Sequence, residues 1–386
     1  MKIVDADTHY SEPHDLWTSR APARWRSRVP RVERDANGRD WWHVDDKRFG
    51  PAGAASIVRP DGSKQKFWEI DLAAGLQHDE VHEASYDPRA RTQMMDQLGI
   101  WAQIVYPNLP GFGVQHLLKI EDLELRNAIV SIYNDAAAEL QRDSGQRLFP
   151  QALLPFWDIE TAVSEVQRAK QELGLTGIVM CSDPDLAGLP DIPDAYWDPL
   201  WEVCGALGMP INLHVGASDI SMRRFKESAW PSQDRFRKIV VGSLQIELEN
   251  ARVLSNLLTC DVLVRHPDTR WVSVESGIGW IPYMLERLEY QLCETLPEDE
   301  SLLHASPTEL FRRQVYGCFW FEDVAPRKLL EDIGVDNVMF ETDFPHPTCL
   351  YPSPREHAER VLAECGPEVC RKVMQDNAAK LYGLPL

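Results

Sequence analysis

The sequence predicts an α/β fold, a (β/α)8 or TIM barrel with an insertion after its first strand. Three observations predict it. Eight short apolar runs alternate with helix-patterned stretches, which is the signature of a parallel sheet, and eight is the number that closes a barrel. The turn after the first run, Thr8-His-Tyr-Ser-Glu-Pro13, holds no glycine, whereas an open doubly wound sheet normally carries a glycine-rich nucleotide turn there. Polar residues with ligand chemistry close several of the runs, at the strand ends where such a barrel keeps its active site.

The first strand is Ile3-Val4 running into Asp5-Ala-Asp-Thr-His9, an apolar start that leads straight into metal-type ligands. Residues 14–90 follow, with Trp17, Trp25, Trp41, Trp42, Pro30, Pro51 and Pro60, and with no sustained helical or strand period. Tryptophans need something to pack on, so this stretch is expected to be an ordered cap or subunit-contact segment within a single domain spanning 1–386.

From Asp87 a helix-then-strand beat sets in. Asp87-Pro88 marks a helix start, Gly99 its stop, and 100–106 a strand ended by Pro107. The beat repeats as helix 123–144 with strand 150–155, helix 159–174 with strand 177–180, and helix 196–208 with strand 211–215. A helical section over about 239–265 precedes strand 271–276. Strands 315–319 and 337–342 follow, with 326–333 between them and a closing helical region over 356–381.

Composition excludes several classes. The chain has 386 residues with 44% hydrophobic content, enough for a large core. Its formal net charge of −20 argues against nucleic acid or an anionic membrane as partner, while a local basic pocket for a small anion stays compatible. No apolar run approaches the ~18 residues of a membrane span and no basic start precedes an apolar leader, so a soluble cytoplasmic protein is expected. The eight cysteines are scattered without a Cys-x-x-Cys, the pattern of small buried residues in a reducing compartment.

The strand ends carry a chemically biased set. Asp7 and His9, two apart, leave one face of an extended chain and can converge on one ion. The fifth strand supplies His214, the sixth Glu275, the eighth Asp343, with His346 just beyond. Imidazoles and carboxylates together suit zinc, manganese or iron(II) and leave positions for water or substrate. Each also has a bland reading: His214 as a satisfied core histidine, Asp343 as a cap of the turn at Phe344-Pro345. His346 lies past a proline in a loop, and its direct ligation is not expected. Met222-Arg-Arg-Phe-Lys226 follows the fifth strand, so Arg223, Arg224 or Lys226 is a candidate to receive a substrate carboxylate, against the alternative of a solvated basic loop. Trp280, Trp320, Phe321 and Phe344 sit just past strand ends, where aromatic walls suit a planar ring, although core packing accounts for such residues equally well.

Four motifs span the chain: Val4-Asp-Ala-Asp-Thr-His9 with Glu12-Pro13; Tyr86-Asp-Pro-Arg-Ala-Arg91 leading to Met95-Asp-Gln-Leu-Gly99; Ile211-Asn-Leu-His214; and Glu341-Thr-Asp-Phe-Pro-His346. In order and placement they resemble the amidohydrolase superfamily, in the amidohydrolase-2 branch that holds aminocarboxymuconate semialdehyde, resorcylate and carboxyvanillate decarboxylases and some carbon–carbon bond hydrolases. The resemblance implies a mononuclear centre on Asp7, His9, His214 and Asp343, and a homo-oligomer. The chain departs from the branch twice. Asp7-x-His9 stands where many relatives have His-x-His or Glu-x-His, and Glu275 stands where members with a sixth-strand histidine use it to handle protons.

The expected function is therefore non-oxidative decarboxylation of a small aromatic or unsaturated carboxylic acid by a metal-dependent lyase. It would use one divalent ion, zinc or manganese, with Glu275, Asp343 and His214 as catalytic groups and Arg223, Arg224, Trp320 and Phe344 toward substrate. The alternative is a hydrolase of an amide, ester or carbon–carbon bond that attacks through a metal-bound water. A third reading, a silent barrel serving as a binding protein, is opposed by the retained ligand set.

Overall fold

Aspartates start the helices that space the strands. The Asp87 side chain accepts from the Arg89 and Ala90 N–H groups at the head of α1 (Pro88–Leu98), Asp122 from Leu125 at α2 (Leu123–Asp143), and Asp158 from Thr161 at α3 (Ile159–Gln171). Each fills a donor that a helix N-terminus leaves open. A computed structural model of the chain describes residues 1–52, 56–70, 76–297 and 305–385. Parts of the 14–90 segment, residues 53–55 and 71–75, thus lie outside the described residues.

The chain opens with β1 (Ile3–His9), followed by a small antiparallel sheet of β2 (Arg31–Arg34), β3 (Asp40–Val44) and β4 (Lys47–Pro51). The pattern over 14–90 predicts no strand here, because Arg31–Arg34 and Lys47–Pro51 hold no apolar run. Beyond it, β5 (Ile100–Tyr106) and β6 (Leu148–Pro150) pair with β1 in a parallel ladder ordered β1-β5-β6. A second parallel ladder runs through β7 (Ile178–Val179), β8 (Ile211–His214), β9 (Trp271–Val274), β10 (Val315–Phe319) and β11 (Val338–Phe340), each neighbour to the next. The fold is mixed α/β with parallel strands, as expected.

The two ladders meet at both edges. Ala152 donates to the Gly177 carbonyl and accepts from Val179, at 2.9 and 3.0 Å, in a parallel bridge to β7. At the other edge His9 N–H donates to the Phe344 carbonyl at 2.7 Å and Asp343 N–H to the Asp7 carbonyl at 2.9 Å. Asp5 fastens this edge from its side chain, accepting from the Thr342 N–H at 2.8 Å, the Thr342 hydroxyl at 2.6 Å and the Gln103 amide at 2.8 Å.

Five expected elements differ. The strand at 150–155 is observed as Leu148–Pro150 with only Ala152 bridging beyond, since the chain there exchanges one partner for another: Gln151 N–H goes to Val105 and Ala152 N–H to Gly177. The strands expected over 271–276 and 337–342 stop at Val274 and Phe340, and Glu275 and Asp343 stand just past them with φ of 54° and 57°, turning the chain out of the ladder. Residues 222–226 are not a loop but belong to α5 of Asp219–Glu227, which follows α4 (Asp198–Leu207) and is capped by Ser218. The helical section at 239–265 is α6 (Arg235–Thr259), begun by Asp234, then a break at Cys260 and the short α7 (Val262–Arg265).

One core cluster joins β1, β5 and α2 to the 14–90 segment. Trp17 is fully buried, donates to the Ile129 carbonyl at 3.0 Å and stands edge-on to Trp42. Trp25 and Trp42 belong to the same cluster, whereas Trp68 of this segment is exposed.

Candidate metal centre

The period of two along β1 sends Asp5, Asp7 and His9 to one face, and the left-handed turns after β9 and β11 bring Glu275 and Asp343 to the same end of the sheet. His214 closes β8 among them. His214 Nε2 lies 3.6 Å from Asp7 Oδ2, 3.5 Å from Glu275 Oε2 and 3.2 Å from His9 Nε2. His9 Nε2 lies 3.6 Å from Asp7 Oδ1 and 3.7 Å from Asp343 Oδ1. One donor atom from each of Asp7, His9, His214 and Glu275 falls within 4.8 Å of every other, and so does a second set, His9, Glu275, Asp343 and His346.

These groups fit a cation better than they fit one another. Both oxygens of Asp7 and both of Asp343 are buried without a hydrogen-bond partner. His214 Nδ1 sits 2.8 Å from the Val215 carbonyl, which only accepts; Nδ1 therefore carries the proton and Nε2 turns a lone pair into the cluster. Buried acceptors facing acceptors are costly until something positive stands between them. The mixture of imidazole and carboxylate suits a divalent transition metal, which Asp7, His9, His214 and Asp343 could hold with Glu275 beside them.

The electrostatics agree. Burial, then the charges of Glu275 and Asp7, push Asp343 well above the usual carboxylate range. Burial likewise raises Glu341 far up, Asp5 to about 7 and Glu275 to about 7. Burial alone would lower His214, yet the charges of Asp7 and Glu275, 3.6 and 3.5 Å away, carry the imidazole above its ordinary value. Without metal, a proton takes the place of the missing positive charge.

The structure brings together the sequence-predicted ligands Asp7, His9, His214 and Asp343 and sets further residues among them. His346, set aside as a ligand, stacks on His9 with ring centroids 3.6 Å apart, and its Nδ1 is 3.1 Å from Asp343 Oδ1. Glu341 accepts from the Glu275 N–H at 3.2 Å and so helps hold the turn that presents that side chain. Phe112, in the loop after β5, lies 4.3 Å from the His214 ring and 5.1 Å from His9. That loop reaches in because Gly113 lacks a side chain: a Cβ there would meet the Ala217 carbonyl oxygen at 2.6 Å and Cys181 Cα at 2.8 Å. Neither Glu341 nor Phe112 had a spacing signal to reveal it.

The expected substrate residues are not gathered at the cluster in the same way. Arg223 and Arg224 are exposed on α5, and Arg224 faces Glu249 at 3.5 Å; Lys226 is exposed as well. The Phe344 ring packs with Val58, Ala84 and Met94 beneath the Arg91 guanidinium, while its carbonyl serves the β1 edge. Trp320 is buried, edge-on to the exposed Phe321. A separate cavity of about 550 Å3 opens beside the loop that carries His346, lined by Lys64, Lys66, Trp68, Phe236, Val240 and Pro347.

Comparison with known proteins gives this geometry relatives. The chain is similar to gamma-resorcylate decarboxylase of Polaromonas sp., 25% identical over 66% of this chain and 76% of that protein. It is also similar to 2-amino-3-carboxymuconate-6-semialdehyde decarboxylase of Dictyostelium discoideum, 24% identical over 80% of this chain and 79% of that one. Among solved structures, an amidohydrolase of Mycobacterium avium subsp. paratuberculosis aligns with a TM-score of 0.73 at 22% identity, covering 100% of this chain and 98% of that one. A dihydroxybenzoic acid decarboxylase of Polaromonas sp. with bound manganese and the inhibitor 2-nitroresorcinol aligns at 0.61 and 17% identity, covering 99% of this chain and 97% of that one. A family model described as amidohydrolase (Amidohydro_2) matches residues 67–384; with a donor set at its strand ends that fits a metal ion, the chain is a metal-dependent enzyme and belongs to the amidohydrolase family.

Proposed function

We propose that the protein is a carboxy-lyase that removes carbon dioxide, without oxidation, from a small aromatic or unsaturated carboxylic acid. The observation that carries this reading is a buried cluster of acceptors, short of positive charge, at the strand ends of a chain whose named relatives are decarboxylases. We infer further that the bridges at both edges close the eight parallel strands into a barrel and that residues 14–90 cap it; the β1 and β7 bridges and the buried tryptophans support this.

When bound, a divalent ion supplies a Lewis-acidic site for the substrate carboxylate and a neighbouring oxygen. The remaining work falls to side chains. Asp7, His9, His214 and Asp343 hold the ion, and the Val215 carbonyl fixes the tautomer of His214. As the carbon–carbon bond breaks, its electron pair stays on the substrate carbon and carbon dioxide leaves. Glu275, 18% exposed and 3.5 Å from His214, delivers the proton that this carbon takes and recovers one from water. Phe112 offers an aromatic face beside His9 and His214 for a planar ring. Arg223 and Arg224 take no part, because their exposure and the pairing of Arg224 with Glu249 lead away from the cluster.

A product-resolved screen of the metal-loaded protein tests it, with hydroxybenzoates and unsaturated carboxylic acids set against amides, esters and diketones. Release of carbon dioxide with formation of the acid's decarboxylated product is expected. Turnover of the second group alone, with no carbon dioxide, replaces this reading by the hydrolytic one.

A further inference from the structure

We propose that His346 is a ligand of the metal ion through Nδ1, so that three imidazoles and not two stand around it. The inference rests on the metal-dependent reading above and concerns a residue outside the four that the family resemblance assigns. Its starting point is Asn108. The Asn108 side-chain nitrogen donates to the Tyr10 carbonyl at 3.0 Å, and its backbone N–H, with that of Leu109, is held by Glu12 at 2.7 and 3.1 Å. A backbone carbonyl only accepts, so the amide cannot be turned round without setting oxygen against oxygen. The Asn108 oxygen therefore faces His346 Nε2, at 2.9 Å. An amide oxygen also only accepts, which places the imidazole proton on Nε2 and leaves Nδ1 as a lone pair.

That lone pair points at another acceptor. Nδ1 is 3.1 Å from Asp343 Oδ1, and neither Asp343 oxygen has a hydrogen-bond partner. Asp343 Oδ1 is in turn 3.7 Å from His9 Nε2. The arrangement repeats that of His214, where an acceptor-only carbonyl holds one ring nitrogen and the other is left for the cluster. Donor atoms of His9, Glu275, Asp343 and His346 lie within 4.8 Å of one another, and His346 is 7% exposed, so water does not stand in readily as the missing partner. The competing arrangement is an imidazolium that donates to Asp343. It would set a buried cation face to face, at 3.6 Å, with the ring of His9, itself a ligand of a divalent ion.

The consequence is a different metal preference. A third imidazole nitrogen moves the centre from the oxygen-rich environment that suits manganese toward one that suits zinc or cobalt.

Cobalt(II) is the probe. Each imidazole bound to cobalt keeps one N–H, whose proton resonance is displaced far outside the diamagnetic range and can be counted in the full-length protein after exchange of its metal for cobalt. Three such exchangeable resonances are expected, from His9, His214 and His346, and His346→Gln should leave two and weaken cobalt affinity by on the order of 10-fold or more. Two resonances in the wild type overturn the assignment and return His346 to a supporting role, a count that needs no variant and so stands even if His346→Gln fails to fold. Failure of the wild type to bind cobalt at all is a different result: it removes the metal centre itself, and this inference with it.

Discussion

At the scale of single residues, the centre is organised by what the far side of each side chain touches. Val215 commits His214, and Glu341 holds the turn that presents Glu275. In the proposed reaction Glu275 is the group that moves the proton. In the metal-free protein burial raises Glu275, the charge of His214 lowers it and that of Asp7 raises it again, leaving it near 7. Glu275→Gln keeps the shape and removes the titration. It should lower kcat by on the order of 10² while the metal content, measured by elemental analysis, stays unchanged. Loss of metal would instead mark Glu275 as an indispensable ligand. The double variant His214→Ala with Asp343→Ala should lose the metal, about one equivalent per chain in the parent protein. Full metal content and full turnover in that variant would show the centre to be elsewhere.

At the scale of elements, strands were legible where an apolar run was long enough to carry its period and ended in a polar group, as in Ile211–His214 and Ile100–Tyr106. The three strands between 31 and 51 were not, because Arg31–Arg34 and Lys47–Pro51 hold no apolar run and the second pairs through a bulge between Trp42 and His43. A turn signal was nevertheless present: Asn37-Gly38 stands between β2 and β3, and Gly38 has φ of 77°. Ser218, three before Ser221, likewise announced α5, where the basic residues drew attention to charge and away from the cap. The convergence of Asp7, His9, His214 and Asp343 was legible because strand ends have fixed addresses in sequence. His346, Glu341 and Phe112 act through contacts with Asn108, Glu275 and His214, far away along the chain, and no local pattern encodes such partners. The approach of Gly113 to Ala217 is testable on that ground. Gly113→Ala forces the 107–114 loop to move, so KM for a planar substrate should rise and the thermal midpoint fall, with metal content retained. Unchanged KM and stability would mean that the loop has room to spare.

At the scale of the whole molecule, the excess of buried carboxyls makes stability depend on pH and metal together. Glu247, on α6, is raised from 4.5 to about 8, first by burial and then by the charges of Glu275 and Glu322. Asp5 is raised from 3.8 to about 7 by burial, against its hydrogen bonds from Thr342 and Gln103 and with the charge of Asp7. In both, the folded protein holds its proton more tightly than the unfolded chain does. The stability they contribute is therefore complete below the unfolded values, and it is lost as pH rises through the folded ones. Metal-free protein should thus show a thermal midpoint that falls between about pH 5 and about pH 8, in contrast to proteins whose carboxylates are paired. A divalent ion acts against this loss, because it offsets the charges of Asp7 and Glu275 that weigh on Asp5 and Glu247. Its ligands must be deprotonated, so its hold is also strongest at the upper end of the window. At 100-fold excess over Kd the ion adds about 2.7 kcal/mol. Thermal melts of chelator-treated and metal-reconstituted protein across this range should therefore diverge as pH rises. Midpoints of the metal-free protein that climb with pH would show that these carboxyls find positive partners of their own, and the case for a cation-demanding interior would fail.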